Sequence, residues 1–186
     1  MTVTTLDAKT ALIVIDLQKG IVSLPTVHPM DGVVKQVVAL AAAFRQHGLP
    51  VVLVNVAGGA PGRTEQLRRS RDFQPGWTDL IPELNQQPQD HVMTKRTPGA
   101  FTNTGLDEHL RALGVTQVVV VGVATSNGVE ATARQAYELG YNITFATDAM
   151  TDLNAEVHHN SITRIFPRIG ETGTAGEIIG LLERKV

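Results

Sequence analysis

Short apolar runs alternate along the chain with stretches whose apolar residues recur every three or four positions. Residues 11–15, Val51–Val56, residues 118–121 and residues 143–146 are nearly continuous in Val, Ile and other apolar types. That is the pattern of strands covered on both faces by helices. His91–Lys95 is a weaker strand candidate. Between the runs, Val33, Val37, Leu40 and Phe44 keep helical spacing until Gly48-Leu49-Pro50 stops them. Leu106, Leu110 and Leu113 mark a second helix ended by Gly114, and Val129, Ala133, Ala136 and Leu139 a third ended by Gly140. Asn127, with Glu130 three residues later, fits an N-terminal capping pair for that third helix. Residues 154–166 and 175–184 read as two further helices. The alternation predicts an α/β fold: a doubly wound, mostly parallel sheet of about six strands with helices on both faces. With no linker, repeat or low-complexity tract, residues 1–186 read as a single domain.

One stretch breaks the pattern. Residues 57–89 carry several Gly and Pro residues and the chain's one Trp, Trp77. A loop of this length in a compact domain is either functional or a surface excursion. It leaves the end of the second strand, where it would line or cover a site at the sheet's carboxyl edge.

Composition narrows the function classes. A net charge of −2 and 4% aromatic residues provide no basic, aromatic-interleaved patch for nucleic acid. No apolar run approaches the ~20 residues that span a bilayer, so a membrane partner is not expected. The first residues lack the charged and apolar regions of a secretory signal, and the cytoplasm is the expected location. The absence of Cys removes disulfides, thiolate metal sites and thiol catalysis together.

The candidate chemistry gathers at strand ends. Asp16 follows four apolar residues, at the rim of a buried region where desolvation raises a carboxyl's pKa and suits it to acid or base work. A turn-forming Asp would look the same. Lys95 closes the third strand candidate before Arg96 and a Pro98-Gly99 turn. In a parallel sheet the carboxyl ends share one edge, which places Asp16, Lys95 and the loop of residues 122–128 together. An ammonium there would pull the Asp16 pKa back down, so the sign of the net shift stays open. Arg63 could grip a carboxylate through its paired donors, and Trp77 and Phe101 could wall an apolar pocket; an exposed loop residue and two core residues are the alternatives. Thr125 and Ser126 have no His beside them and no Gly-x-Ser-x-Gly frame, so they are read as helix caps. His158 and His159 are neighbours that point to different sides of a helix and are read as surface residues, not metal ligands.

The combination of Asp16-Leu17-Gln18, Lys95-Arg96 ahead of Ala100-Phe101, and Gly122-Val123-Ala124-Thr125 ahead of Thr132-Ala133-Arg134 resembles, in order and spacing, the isochorismatase-like hydrolases. The likeness runs over essentially the whole chain, including residues 140–144 and Asp148-Ala149-Met150. The resemblance implies a Rossmann-like fold with Asp16 and Lys95 as the acid/base pair. It implies an oxyanion region along Val123 and Ala124 with a cis peptide between them, and a place for Asn127 in the substrate loop. It also puts Gly128 where amidase members carry their catalytic Cys. True isochorismatases are similar to this chain in having Gly there; they cleave a vinyl ether, with the Asp as proton donor and water adding to the resulting cation. Two departures stand out. The Gln that contacts substrate after the second strand of isochorismatases has no counterpart, Asn55 being the nearest amide, and the Asp-x-His metal cluster of nicotinamidase members is missing.

The expected function is therefore hydrolysis of a small organic molecule, of carboxylate or vinyl-ether type, by Asp/Lys chemistry with no cofactor, no metal and no thiol. A catalytically silent member that binds a small metabolite or serves as an assembly unit is the alternative. Apolar helix faces suggest a homo-oligomer, as in many relatives of this scaffold.

Overall fold

The strands form one sheet in the order β3-β2-β1-β4-β5-β6, every neighbouring pair parallel. They are β1 (Thr10–Ile15), β2 (Val51–Val56), β3 (His91–Lys95), β4 (Gln117–Val123), β5 (Asn142–Thr151) and β6 (Glu171–Gly173). The computed structural model describes residues 3–65 and 73–184. The helices are α1 (Lys19–Val22), α2 (Met30–Gln46), α3 (Leu106–Ala112), α4 (Glu130–Glu138), α5 (Ala155–Asn160) and α6 (Ala175–Glu183).

The strand period of two divides the core. Leu12 and Val14 face a cluster built with Val37, Leu40 and Phe44 of α2 and Ile178 of α6. Ala11, Ile13 and Ile15 face a second cluster with Leu106 and Leu110 of α3 and Ala133 and Ala136 of α4. Each face is covered, as the continuous apolarity of the strands requires. Among the described residues, no helix is long and apolar enough to cross a membrane.

The chain winds outward from β1 through β2 to β3 on one side and from β4 through β5 to β6 on the other. The direction reverses between β1 and β4, and a crevice opens beyond the carboxyl ends of strands at such a switch point. One residue at the end of β4 has no room for a side chain there. Gly122 lies opposite Ile15 with φ of +116°, and a Cβ on it would run into the Ile15 carbonyl oxygen. On the other side of β4 the register slips, from Val120 opposite Phe145 to Gly122 opposite Met150. β5 bulges there and then continues to Thr151, past the end expected at residue 146.

Three further features differ from the sequence pattern. β6 is a polar edge strand of three residues, too short to register as an apolar run. The helix expected over residues 154–166 is broken into α5, a π turn (Ser161–Ile165) and a 3-10 turn (Phe166–Arg168), with Pro167 inside the last. The long loop is more than an excursion: Ile81 and Leu84 are buried in the core, and Leu80 forms a bridge with Gln18.

The positive φ and blocked Cβ position at Gly122 make Gly122→Ala a sharp test. The variant is expected to unfold with at least about 2 kcal/mol less stability, measured by urea denaturation. An unchanged midpoint would contradict the contact between β4 and β1.

Candidate active site

Asp16 leaves β1 with φ of +53°, a left-handed conformation that Asp tolerates better than most residues. Its N–H still donates to Val54 O at 2.8 Å, so the strand ladder sets its position. Lys95 is the last residue of β3, in register with Val56 of β2. Its side chain crosses the end of β2, and Nζ donates to Asp16 Oδ2 at 2.8 Å. Gln18, fully buried, braces that crossing. It donates from Nε2 to Val56 O at 3.1 Å and accepts from Val56 N at 2.7 Å on Oε1.

The pair is shut away from water, with 2% of the Lys95 side chain and 7% of the Asp16 side chain exposed. Asp16 Oδ1 is buried with no hydrogen-bond partner among the described residues. Burial pushes the Asp16 carboxyl up to about 6 against the opposing pull of Lys95. The folded group holds its proton more tightly than the unfolded one at 3.8. Its contribution to stability is therefore full below about 4 and is lost as pH rises through 6.

The second wall comes from the end of β4. The peptide bond from Val123 to Ala124 is cis, and Thr125–Val129 forms a wide turn, closed by Val129 N donating to Ala124 O at 3.2 Å. The turn feeds α4. A Cβ on Gly128 would lie 2.9 Å from Ile15 Cγ2, 3.3 Å from Asp16 Oδ2 and 3.5 Å from Val123 O. Only a glycine fits here without displacing a neighbour, and it brings the backbone of the turn close against the carboxylate.

Asp16, Lys95, Val123, Ala124, Asn127 and Gly128 all line one cavity of about 270 Å³. Ile21, Leu24, Val56 and Leu153 give it apolar sides, and Gly58 to Ala60 of the long loop close another. Two clefts of about 580 and 500 Å³ flank α2 and a third of about 280 Å³ lies by Tyr141, and none of the three is lined by a buried acid paired with a base. Among the described residues, no three His, Asp or Glu side chains gather as metal ligands.

Three candidates from the sequence lie outside this cavity. Trp77 packs its ring against the Gly20 backbone, where any side chain would collide, and stacks on Phe73 at 4.3 Å. Phe101 packs on the core, with its ring 6.0 Å from Tyr141 and its N–H held by Gln135 Oε1 at 3.0 Å. Arg63 is exposed on the loop. Asn55 also turns away, donating to Thr78 O at 2.8 Å. Residues 66–72 of the loop lie outside the described residues.

The capping pair is replaced too. Glu130 bonds Arg134 at 2.9 Å and Ser161 Oγ at 2.6 Å, while the turn's N–H at Ser126 is capped by Asp152 Oδ2 at 2.7 Å, from beyond β5. Thr125 does not cap either; its hydroxyl meets Thr151 O at 3.1 Å and His158 Nδ1 at 2.8 Å. His158 is buried, which overturns its reading as a surface residue. Gln18, Asp152 and His158 are the polar residues that sequence spacing missed, because each acts on a partner brought near only by the fold.

Residues 10–177 match the isochorismatase domain family. The chain is 42% identical over 189 residues to the uncharacterized isochorismatase family protein YecD of Escherichia coli O157:H7, covering 95% of this chain and 98% of that one. It is 41% identical over 181 residues to the uncharacterized isochorismatase family protein YwoC of Bacillus subtilis strain 168, covering 92% and 93%. A solved structure of an isochorismatase family protein from Burkholderia thailandensis superposes with a TM-score of 0.92 at 40% identity, covering 96% of this chain and 98% of that chain. With its six-stranded parallel sheet and a match over most of its length, this cysteine-free chain belongs to the isochorismatase family.

Proposed function

We propose that this chain hydrolyses a small organic molecule of vinyl-ether type, through Asp16 and Lys95 and without a covalent nucleophile or a cofactor. The observation that carries the reading is the buried Asp16 carboxyl lining a cavity, paired on one oxygen only among the described residues, with the backbone of Gly128 lining the same cavity. A carboxyl poised near 6 is populated in both forms close to neutral pH, as a group that must give and regain a proton requires.

Protonated Asp16 delivers its proton to the electron-rich carbon of the double bond. The resulting oxocarbenium ion is attacked by a water from the cavity that Gly128 lines. One proton of that water returns to Asp16, and the hemiketal collapses to a carbonyl product and an alcohol. Lys95 stabilises the carboxylate between these steps without leaving its hydrogen bond. Backbone N–H groups at Ala124 and Gly128 favour the developing negative charge on the departing oxygen. Asn127 and the apolar wall of Leu24 and Leu153 orient the substrate.

The test is a panel of isochorismate, simple vinyl ethers, amides and esters, with Asp16→Asn alongside. Vinyl-ether turnover is expected, with kcat/KM at least about 100-fold lower in the variant. Because the acid form does the work, kcat/KM should fall as pH rises through about 6. Lys95→Met removes the pull that opposes burial, so any residual activity should carry this limb to higher pH. Turnover indifferent to Asp16→Asn would overturn the mechanism. No turnover across the panel would favour a small-molecule binding protein.

A further inference from the structure

Behind the wall formed by residues 124–128 lies a set of polar side chains that the chemistry above does not use. His158 of α5 places Nδ1 2.8 Å from Thr125 Oγ1, and the same hydroxyl lies 3.1 Å from Thr151 O. Thr125 is fully buried, so water does not complete these contacts. A hydroxyl has a single proton and a carbonyl only accepts. Both contacts are satisfied together when Thr125 donates to Thr151 O and receives a hydrogen from His158. That requires the hydrogen to sit on Nδ1.

His28, from the segment between α1 and α2, closes the back of the set. Its ring centroid is 4.7 Å from that of His158, and its N–H and Nδ1 meet Thr151 Oγ1 at 3.3 and 3.0 Å. Thr151 is thus gripped by its hydroxyl on one side and by its carbonyl on the other. The next residue, Asp152, holds Ser126 N at 2.7 Å. Burial and the neighbouring His28 hold the His158 imidazole below its usual range, with Asp152 pulling the other way and His159 adding to the repulsion. The ring is accordingly neutral at pH 7, the state in which the position of one hydrogen matters.

We propose that His158 is a positioning residue: its Nδ1–H, acting through Thr125, sets the wall of residues 124–128 at its distance from Asp16. It touches neither substrate nor the reacting atoms. For its effect on turnover the inference rests on the proposed function; for the placement of the wall it does not.

Two substitutions of similar chemistry separate positioning from bulk. An asparagine side chain carries its amide nitrogen at the δ position, where the imidazole Nδ1 stands, so His158→Asn keeps the donor to Thr125. His158→Gln moves the amide one carbon further out, and His158→Phe removes the donor while keeping a ring. Nitrogen-15 NMR of the wild-type protein is expected to show His158 protonated on Nδ1 and bare on Nε2. The amide resonances of Ser126, Asn127 and Gly128 should shift in the Phe and Gln variants and in Thr125→Val, and return towards wild type in His158→Asn. On whichever panel compound is turned over, His158→Phe should lower kcat about 10- to 100-fold, with KM within about twofold and recovery in His158→Asn. A bare Nδ1 in the wild type would overturn the inference. So would loop amides unmoved by loss of the donor, or equal effects of the Asn and Gln variants. The NMR arm stands if no panel compound reacts, so failure of the catalytic reading and failure of this one are told apart.

Discussion

Taking a carboxyl and an ammonium out of water together costs several kcal/mol per ion, and the loss is recovered only when both find well-placed partners. At the end of β1 that requirement is half met. Asp16 Oδ2 has the Lys95 ammonium at 2.8 Å, while Oδ1 is buried with no donor among the described residues. The imbalance decides the outcome of two opposed forces, since Lys95 alone would deepen the acidity of Asp16 and burial raises its pKa. Burial prevails, and the proton is held up to about 6. The arrangement depends on β2, whose end lies between the two residues and is bridged by Lys95 from one side and clasped by Gln18 from the other.

The sheet's winding supplies the rest. Because β1 and β4 adjoin where the chain reverses its direction of travel, the loop after β4 opens directly beside Asp16. Gly122 adopts a backbone turn whose Cβ position is blocked by Ile15 of the neighbouring strand, and Gly128 fits a place where a side chain would press on Ile15 and on the carboxylate. The two glycines have different physical jobs. At Gly122 a positive φ and a backbone contact exclude any other residue, whereas at Gly128 the backbone is ordinary and the side-chain volume is what matters.

Much of this was legible in the sequence because the fold is written in local pattern. The continuous apolar runs marked four strands, and a parallel sheet then required Asp16, Lys95 and the 122–128 loop to share an edge. Features set by contacts between distant segments were not legible. β6 is short and polar, so it exists by pairing with β5. The start of α4 looked as if Asn127 and Glu130 capped it, yet the cap is Asp152, 26 residues away from Ser126. His158 looked like half of a surface pair and instead lies against Thr125. Trp77, Phe101 and Arg63 had the right chemistry for a pocket wall, but aromatic residues fill cores as readily as sites, and the Arg63 side chain stands exposed on its loop.

The claim on which the account turns is that burial outweighs the lysine at Asp16. Carbon-13 NMR titration of the Asp16 carboxyl in the folded protein measures this directly. A midpoint near 6 is expected. A midpoint at or below 3.8, the ordinary value for this group, would mean that Lys95 wins, that the pair stays ionised across the working range, and that Asp16 does not serve as the proton donor.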